Sequence, residues 1–204
     1  MQNVAIVVGG TSGLGAAIAE LLRDSMRVVT VSRRESADII GDASHEETVQ
    51  RTLSHADSLG TIALLVNCAG LGIYGPAGSY DETNIRAMLD ANLVATILFS
   101  DALLPRFKTE GGTIVNVLST AALVAKPNES VYCAAKWGAL GYTEVLKAEA
   151  KGSKARVISI APGGMDTPFW PERREHFMDA REVANVVVHA IRGPVNVNHV
   201  VIER

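Results

Sequence analysis

The sequence predicts a doubly wound α/β domain, in which a parallel sheet is covered by helices on both faces. Short runs rich in Val and Ile recur along the chain, and segments with the helical period of apolar residues lie between several of them. The runs lack alternating polar residues, which indicates strands buried on both faces. A length of 204 residues fits a single domain of this kind.

Six strands are predicted from these runs, at 4–8, 27–31, 62–66, 113–118, 156–160 and 195–202. Strands that alternate with helices require right-handed crossovers, which place helices on both sides of a parallel sheet. The interval between Ser32 and Asp42 has no room for both a helix and a full strand. A crossover helix is therefore expected to be missing there.

The first helix is predicted from about Gly13 to Asp24, because four apolar residues in this stretch form one stripe along a helix. These residues are Leu14, Ile18, Leu21 and Leu22. Similar stripes predict helices near 84–107, 130–150 and 180–192.

The composition indicates a protein with an apolar interior whose ligands are small molecules. Hydrophobic residues make up 48% of the chain and charged residues 20%, which excludes a disordered or fibrous protein. The formal net charge of -3 gives no electrostatic basis for binding nucleic acid or an anionic membrane.

The cysteines and histidines give no sign of a metal site. Cys68 and Cys133 are the only cysteines, and neither stands in a spacing typical of metal ligands or of a disulfide framework.

The N-terminal apolar run is too short for a signal sequence, and no apolar stretch approaches the ~20 residues that span a bilayer. The expected location is the cytoplasm.

A glycine-rich loop follows the first predicted strand and opens the first helix. Its glycines allow a tight turn and close approach of the backbone to a pyrophosphate, and the helix N-terminus offers free N–H groups to phosphate. No Lys-Ser/Thr pair follows, which excludes a P-loop, and Leu14 excludes a G-x-S-x-G elbow. The loop predicts a dinucleotide site on a Rossmann-type domain, with a purely structural turn as the alternative. The residues concerned are Gly9, Thr11, Ser12, Gly13, Leu14 and Gly15.

The end of the second strand bears on the choice of dinucleotide. An NAD-binding domain typically carries Asp or Glu there for the ribose 2′-OH, but this chain has Ser32, Arg33 and Arg34. Two guanidinium groups suit a 2′-phosphate and therefore favour NADP(H), with either arginine as its ligand. The alternative is that the arginines are ordinary solvated residues of a surface turn.

Tyr132 and Lys136 are four residues apart in a predicted helix, which places them on the same face. A neighbouring ammonium favours the phenolate and lowers the pKa of a tyrosine, which makes the pair suitable for proton transfer. Ser119 closes the predicted strand 113–118, and ligands bind at the carboxyl ends of parallel strands in doubly wound folds. The three residues are therefore candidates for one catalytic site.

With these motifs together, the chain resembles the short-chain dehydrogenase/reductase family from Val4 to about Ile202. The glycine loop is similar to the family's TGxxxGxG, and Asn67-Cys68-Ala69-Gly70 is similar to NNAG. Ser119 and Tyr132-x-x-x-Lys136 resemble the family's catalytic serine and YxxxK motif. Asn92 falls in the predicted helix that corresponds to the one in which family members carry their catalytic asparagine.

The resemblance implies a role for each of these residues. Tyr132 would be the general acid in carbonyl reduction, and Ser119 would hydrogen-bond the carbonyl oxygen. Lys136 would bind the nicotinamide ribose and lower the Tyr132 pKa, and Asn92 would hold a water that links Lys136 to solvent. The cofactor would also contact Asn67, Ala69 and Gly70, and its nicotinamide end would contact Pro162, Gly163, Met165 and Thr167.

The chain also departs from the family pattern. Val8 replaces the loop threonine, Cys68 replaces the second asparagine of NNAG, and the helix after the second strand is deleted. The shortened segment should leave Asp42 and Ala43 as the wall on the adenine side, with Asp42 in contact with the adenine amino group. The lid over the substrate is also short, at about 168–179 within a single domain of residues 1–204.

The expected function is therefore NADP(H)-dependent hydride transfer between nicotinamide and a carbonyl or alcohol. A protein that senses NADPH without turnover is the alternative from another class. The substrate itself is not predicted, because the shape of the pocket decides it. By resemblance, the helices near 84–107 and 130–150 are expected to form the faces of a homodimer or homotetramer.

Overall fold

The computed structural model describes residues 2–193 and 195–204 and contains the predicted parallel sheet. Seven strands form this sheet in the order β3-β2-β1-β4-β5-β6-β9, and each neighbouring pair is parallel. The order reverses between β1 and β4, which is where doubly wound sheets bind ligands. The strands are β1 Asn3–Val8, β2 Arg27–Ser32, β3 Ile39–Ile40, β4 Thr61–Asn67, β5 Gly112–Val117, β6 Ala155–Pro162, β7 Met165–Asp166, β8 Met178–Asp179 and β9 His199–Ile202.

Six α-helices cover the two faces of the sheet. They are α1 Gly13–Leu22, α2 Glu46–Leu59, α3 Glu82–Leu89, α4 Ala95–Glu110, α5 Ser130–Ala150 and α6 Ala180–Arg192. Helices α1 and α6 pack on one face, and α2, α4 and α5 pack on the other. The sequence of β1 has no polar alternation because both of its faces are buried. Val4 and Ile6 pack in the core on one side of the sheet, and Ala5 and Val7 pack in the core on the other.

The structure confirms the missing crossover and corrects several bounds. Strand β3 follows β2 without an intervening helix. The last strand covers 199–202 and not 195–202, because its pairing with β6 begins only at His199 opposite Ser159. The first helix ends at Leu22 and not near Asp24. Helix α2 was not predicted, although Val49, Leu53, Ala56 and Leu59 recur at helical spacing and pack in the core; Thr48 and Thr52, which are also buried, interrupt the apolar pattern.

Helices α3 and α4 are joined by a π-helical turn, Asp90–Val94, into one continuous helix. Contrary to the sequence-based expectation, this helix is long and apolar enough to cross a membrane by length and composition alone. In this structure the apolar face of the helix packs on the sheet, where Phe99, Leu103 and Phe107 are buried in the core.

Candidate active site

A cleft of about 1030 Å³ opens at the carboxyl ends of the central strands. Its volume is near the upper end of the range for small-molecule sites, about 300–1,000 Å³. It brings together most of the residues proposed from the sequence. Those lining it are Gly9, Thr11, Ser12, Gly13, Leu14, Gly15, Ser32, Arg33, Arg34, Asp42, Ala43, Ala69, Gly70, Ser119, Tyr132, Lys136, Pro162, Gly163, Met165 and Thr167.

The glycine loop forms one wall of the cleft between β1 and α1. Gly9 has a φ of 80°, and a Cβ there would lie 2.7 Å from the backbone nitrogen of Ala69, so only glycine fits this turn. Ala16 N donates to Ser12 O at 3.1 Å. The first N–H groups of α1 precede Ala16 and have no acceptor within the helix. They are available to a phosphate, as the sequence predicts.

Arg33 and Arg34 are exposed at one end of the cleft. Ser32 fixes the start of their turn, because its hydroxyl accepts hydrogen bonds from Thr11 Oγ1 at 2.9 Å and from Arg34 N at 3.0 Å. These bonds join the turn after β2 to the glycine loop. The two guanidinium groups therefore flank the same wall as the N-terminus of α1.

Asp42 follows β3 beside the turn that carries the arginines, since Gly41 N donates to Ser32 O at 2.9 Å, and it is engaged in local bonds. Its Oδ1 accepts from Ser44 N at 2.9 Å and from Ser44 Oγ at 2.7 Å. Partial burial acts to raise the pKa of Asp42, but the bonds from Ser44 and the charge of Arg33 lower it below its usual value. Asp42 is therefore an anionic wall residue that interacts with Arg33.

Ser119 follows β5 and begins a short 3-10 turn, Thr120–Ala122. Its hydroxyl oxygen accepts a hydrogen bond from Ala121 N at 3.1 Å. This bond fixes the side chain at the carboxyl end of the sheet. The hydroxyl hydrogen remains available to a further acceptor in the cleft.

Tyr132 and Lys136 lie one turn apart on α5 and are both buried, with 7% and 4% of their surface exposed. Lys136 Nζ lies 5.9 Å from the centroid of the Tyr132 ring and donates to the carbonyl oxygen of Val117 at 3.2 Å. Helix α5 therefore presents the phenol and the ammonium to the same part of the cleft, beside the end of β5.

The pKa values of the pair are set mainly by burial. Burial raises the pKa of Tyr132 to about 12, against an opposing hydrogen-bonding effect of Ser119. Burial also lowers the pKa of Lys136 to about 8. A charged Lys136 beside the ring favours the phenolate, and burial, which has the largest effect, leaves the pKa of Tyr132 above its usual value.

Asn92 lies behind the cleft and does not line it. Its Nδ2 donates to Leu71 O at 2.7 Å and to Met88 O at 2.8 Å, and its Oδ1 accepts from Leu71 N at 3.3 Å. A Cβ placed on Gly70 would lie 3.0 Å from Asn92 Oδ1 and 3.8 Å from Lys136 Nζ. The bare glycine therefore separates the asparagine from the lysine.

Asn67 also lies outside the cleft lining, contrary to its expected contact with the cofactor. Its Nδ2 donates to Ser100 Oγ at 3.0 Å and to Asn116 Oδ1 at 2.8 Å. Asn116 Nδ2 in turn donates to Thr143 Oγ1 at 3.0 Å. This buried chain ties β4, β5 and α5 together beneath the site, so Asn67 supports the floor of the cleft.

The segment from Pro162 to Phe177 closes the cleft on the side opposite Arg33. Strands β7 and β8 pair at its base, and Asp166 accepts hydrogen bonds from Arg174 N at 2.8 Å and Arg173 Nε at 3.1 Å. Gly13 has a φ of 51°, and a Cβ there would lie 3.2 Å from Thr167 Cβ. Thr167, the residue before the expected lid of 168–179, therefore lies close to the glycine loop.

Several residues of the cleft were not assigned from the sequence. Glu129 and Lys126 line it next to Tyr132, and Thr83, Arg86 and Asp90 line it from α3 and the π turn. For Glu129 a signal was present, since it precedes Tyr132 by three residues and so lies one turn away on the same side of the helix.

The arrangement provides both parts of a hydride-transfer site. One end has the glycines, free helix amides and arginines that suit a dinucleotide phosphate, and the other has a serine hydroxyl, a phenol and an ammonium. Hydroxyl donors at one point stabilise negative charge that develops on an oxygen atom. In the part of the chain that the structure describes, no group of three or more His, Cys, Asp or Glu residues is placed to hold a metal ion.

Comparison with known proteins agrees with this chemistry. The short chain dehydrogenase family profile matches residues 3–177. An uncharacterized oxidoreductase of Staphylococcus saprophyticus is 31% identical over 228 aligned positions, covering 98% of this chain and 97% of the relative. The human 3-oxoacyl-[acyl-carrier-protein] reductase is 29% identical and covers 99% of this chain and 96% of its own length.

A solved structure shares the whole architecture. The crystal structure of a short chain dehydrogenase from Burkholderia cenocepacia in complex with NADP superposes with a TM-score of 0.87 at 31% identity, covering 98% of this chain and 88% of that one. The chain therefore belongs to the short-chain dehydrogenase/reductase family, whose members are oxidoreductases that use a nicotinamide cofactor.

Proposed function

We propose that this protein is an NADP(H)-dependent oxidoreductase that transfers a hydride between nicotinamide and a carbonyl or alcohol substrate. The observation that carries the proposal is that Ser119, Tyr132 and Lys136 line the same cleft as the glycine loop. The cleft has a phosphate site at one end and a proton donor at the other. This arrangement suits hydride transfer between a bound dinucleotide and a carbonyl compound.

The chain's own residues account for the proton chemistry. A nicotinamide held in the cleft would supply the hydride for the carbonyl carbon. Tyr132 then donates its phenolic proton to the carbonyl oxygen, and Ser119 donates a hydrogen bond to the same oxygen while negative charge develops on it. A Tyr132 pKa of about 12 keeps the phenol protonated at neutral pH, which suits a general acid in the direction of reduction.

Lys136 has two proposed tasks next to the phenol. Its ammonium, which is charged below its pKa of about 8, stabilises the phenolate left after proton transfer. It also binds the nicotinamide ribose, as in the family. Asn92 is proposed to hold the Gly70–Leu71 segment and a water that links Lys136 to solvent, which makes it a positioning residue.

The residues present fit a dinucleotide. The turn at Gly9 and the free amides of α1 suit the pyrophosphate, and Ala69, Gly70, Pro162, Gly163, Met165 and Thr167 border the space toward Tyr132. Arg33 and Arg34 at the far end favour a 2′-phosphate, and the NADP complex of the Burkholderia cenocepacia relative supports the same choice. We therefore propose NADP(H) as the cofactor.

The remaining parts of the proposal concern the setting of the reaction. The segment 168–179 is proposed to act as a short substrate lid. Helices α4 and α5 are proposed to form the faces of a homodimer or homotetramer, since Trp137 and Val145 are exposed apolar residues on α5. The proposed location is the cytoplasm, and the proposed partner is a small-molecule substrate.

The test is a panel of aldehydes and ketones with purified protein, followed by the loss of nicotinamide absorbance with NADPH and with NADH. Oxidation of NADPH by at least one carbonyl compound, abolished by Tyr132→Phe, is the expected result. Tight NADPH binding without oxidation across the whole panel would instead favour the alternative, a protein that senses NADPH without turnover.

A further inference from the structure

We infer that the substrate is a flat aromatic carbonyl compound bound against the rings of Tyr74 and Phe169, and that the carboxylate of Glu129 opposes an anionic group on it. The inference rests on the proposed function, because it names the substrate class of the same cleft. It combines two observations, an aromatic cluster around the proton donor and a carboxylate beside it.

Aromatic rings surround the part of the cleft where the carbonyl group must lie. The centroid of the Tyr74 ring is 5.8 Å from that of Tyr132, in an edge-to-face arrangement, and the centroid of Phe169 is 6.0 Å from that of Tyr132. Trp170 stacks on Tyr74 at 5.2 Å and meets Phe169 edge to face at 5.5 Å. All four rings line the cleft.

This cluster favours a flat ring over a puckered or linear group. Phe169 Cε2 lies 3.9 Å from the point where a Cβ on Gly70 would be, close to Lys136 Nζ, so the ring extends to the reacting end of the cleft. The rings of Tyr74 and Phe169 are in edge contact, with centroids 6.5 Å apart, so a carbonyl oxygen within reach of Tyr132 and Ser119 places its substituent against these rings and not between them. An aromatic substituent gains edge-to-face or offset-stacked contacts there, which an aliphatic substituent of equal size does not.

The loop that carries Tyr74 is fastened to the loop that carries Glu129. The Tyr80 hydroxyl donates to Gly75 O at 2.7 Å and lies 2.9 Å from Asn128 O, and Gly75 N lies 2.9 Å from Asn128 O. Tyr74 and Glu129 are the immediate neighbours of the residues joined by these bonds. The aromatic cluster and the carboxylate are therefore parts of one rigid wall.

Glu129 is the charge that faces this wall. Its side chain does not cap α5, and the nearest lysine in the sequence, Lys126, donates instead to Thr120 Oγ1 at 3.2 Å. Arg86, a cation at the mouth, pairs with Glu82 at 2.7 Å. The charge of Glu129 also raises the pKa of both Tyr74 and Tyr132, alongside the larger effect of burial. Glu129 therefore repels a second carboxylate bound among these rings and opposes the attraction that Lys126 and Lys136 exert on it.

The first experiment compares benzaldehyde with cyclohexanecarbaldehyde, which are similar in size but differ in planarity. The ratio of their kcat/KM values with NADPH should fall roughly two- to tenfold in Phe169→Leu and in Tyr74→Leu, because each variant removes one ring contact. General damage to the enzyme affects both substrates and cancels in the ratio. An unchanged ratio in both variants would overturn the inference.

The second experiment compares 4-formylbenzoate with its methyl ester, which differ in charge. Glu129→Gln should raise kcat/KM for the acid relative to the ester by roughly tenfold over the wild-type ratio. Glu149→Gln, at an exposed position near the other end of α5, is the matched control and should leave the ratio unchanged. An unchanged ratio in Glu129→Gln would contradict the role of Glu129.

Binding measurements separate this inference from the proposed function. Calorimetric titration of benzaldehyde and cyclohexanecarbaldehyde into the protein with NADP⁺ requires no turnover. Binding that prefers benzaldehyde and is lost in Phe169→Leu, together with no reduction of any carbonyl compound, would support the aromatic site and contradict the reaction. Reduction without any preference for the aromatic ring, in rate or in binding, would contradict the aromatic site alone.

Discussion

Lys136 Nζ donates a hydrogen bond to the carbonyl oxygen of Val117 across 3.2 Å, and this bond joins α5 to the end of β5. The bond holds an ammonium group inside the protein, next to the phenol of Tyr132. Burial disfavours the charged form and lowers the pKa of Lys136 to about 8. The arrangement therefore decreases the stability of the fold at neutral pH while it places a cation at the site.

The unfavourable burial of the charged Lys136 ammonium predicts a pH-dependent difference in the free energy of unfolding between wild type and Lys136→Met. Below about pH 8 the lysine is charged in both the folded and the unfolded state, so the folded state bears the full cost of burial. Between about pH 8 and 10.5 the folded lysine loses its proton before the unfolded one does, and the cost decreases. Wild type should therefore gain about 2–3 kcal/mol relative to Lys136→Met across this range.

Urea unfolding at several pH values between 7 and 10 would measure the difference. Loss of the bond to Val117 changes the stability of the variant by an amount that does not depend on pH, so only the slope is diagnostic. Lys151→Met, at an exposed position, is the control and should show no slope. A flat difference for Lys136→Met would mean that folding does not lower the pKa of the buried amine.

Tyr132→Phe should remove nearly all turnover while it preserves cofactor binding. The phenol donates the proton, whereas the ring, packed beside Tyr74 and Phe169, remains in the variant. General acid catalysis contributes ~10²–10⁴-fold, so a loss of that size in kcat is expected. Nicotinamide fluorescence titration measures the cofactor affinity. A loss of less than tenfold in kcat would exclude Tyr132 as the proton donor.

The sequence predicted the parts of the fold that depend on local pattern. The run at 4–8 is a strand because β-branched residues fill both cores, and the glycine loop begins α1 because Gly9 and Gly13 adopt positive φ values. Helix α2 was missed although Val49, Leu53 and Ala56 stand at helical spacing, because the buried polar residues Thr48 and Thr52 obscure its apolar stripe. The π turn around Asn92 was not predicted either.

Within the site, spacing predicted which residues come together but not which way each side chain points. The i, i+4 spacing places Tyr132 and Lys136 on one face of α5. Asn67 and Asn92 also stand at positions that match the family, yet both side chains are buried behind the cleft. Their directions depend on partners such as Asn116 and Leu71, which the chain brings close only after folding.

Gly13→Val should weaken NADP(H) binding severely. Gly13 has a φ of 51°, and its missing Cβ would lie 3.2 Å from Thr167 Cβ, so a branched side chain would both strain the turn and fill the cleft at the glycine loop. Gly152→Val is the matched control, because Gly152 also has a positive φ, of 78°, but has nothing within 4 Å. Fluorescence titration of NADPH compares the two, and thermal unfolding confirms that both are folded. Equal affinities would make the loop a structural turn only.

The last prediction concerns the choice between NADPH and NADH. Arg33 and Arg34 stand where an NAD-binding domain has an acid, and the Arg33 charge acts on Asp42 across the end of the cleft. A charge-assisted contact with the 2′-phosphate is worth ~1.5–3 kcal/mol, which corresponds to a preference for NADPH of roughly ten- to a hundredfold.

Arg33→Ala should therefore decrease kcat/KM for NADPH and leave that for NADH nearly unchanged, because NADH has no phosphate at this position. Arg34→Ala, measured in parallel, identifies which guanidinium contributes more, and Arg51→Ala, at an exposed position on α2, controls for the loss of a positive charge elsewhere. Steady-state kinetics with both cofactors decide the matter. Equal use of the two cofactors by wild type, or a parallel loss of both in Arg33→Ala and Arg34→Ala, would show that the arginines are solvated surface residues and that NADP(H) is the wrong assignment.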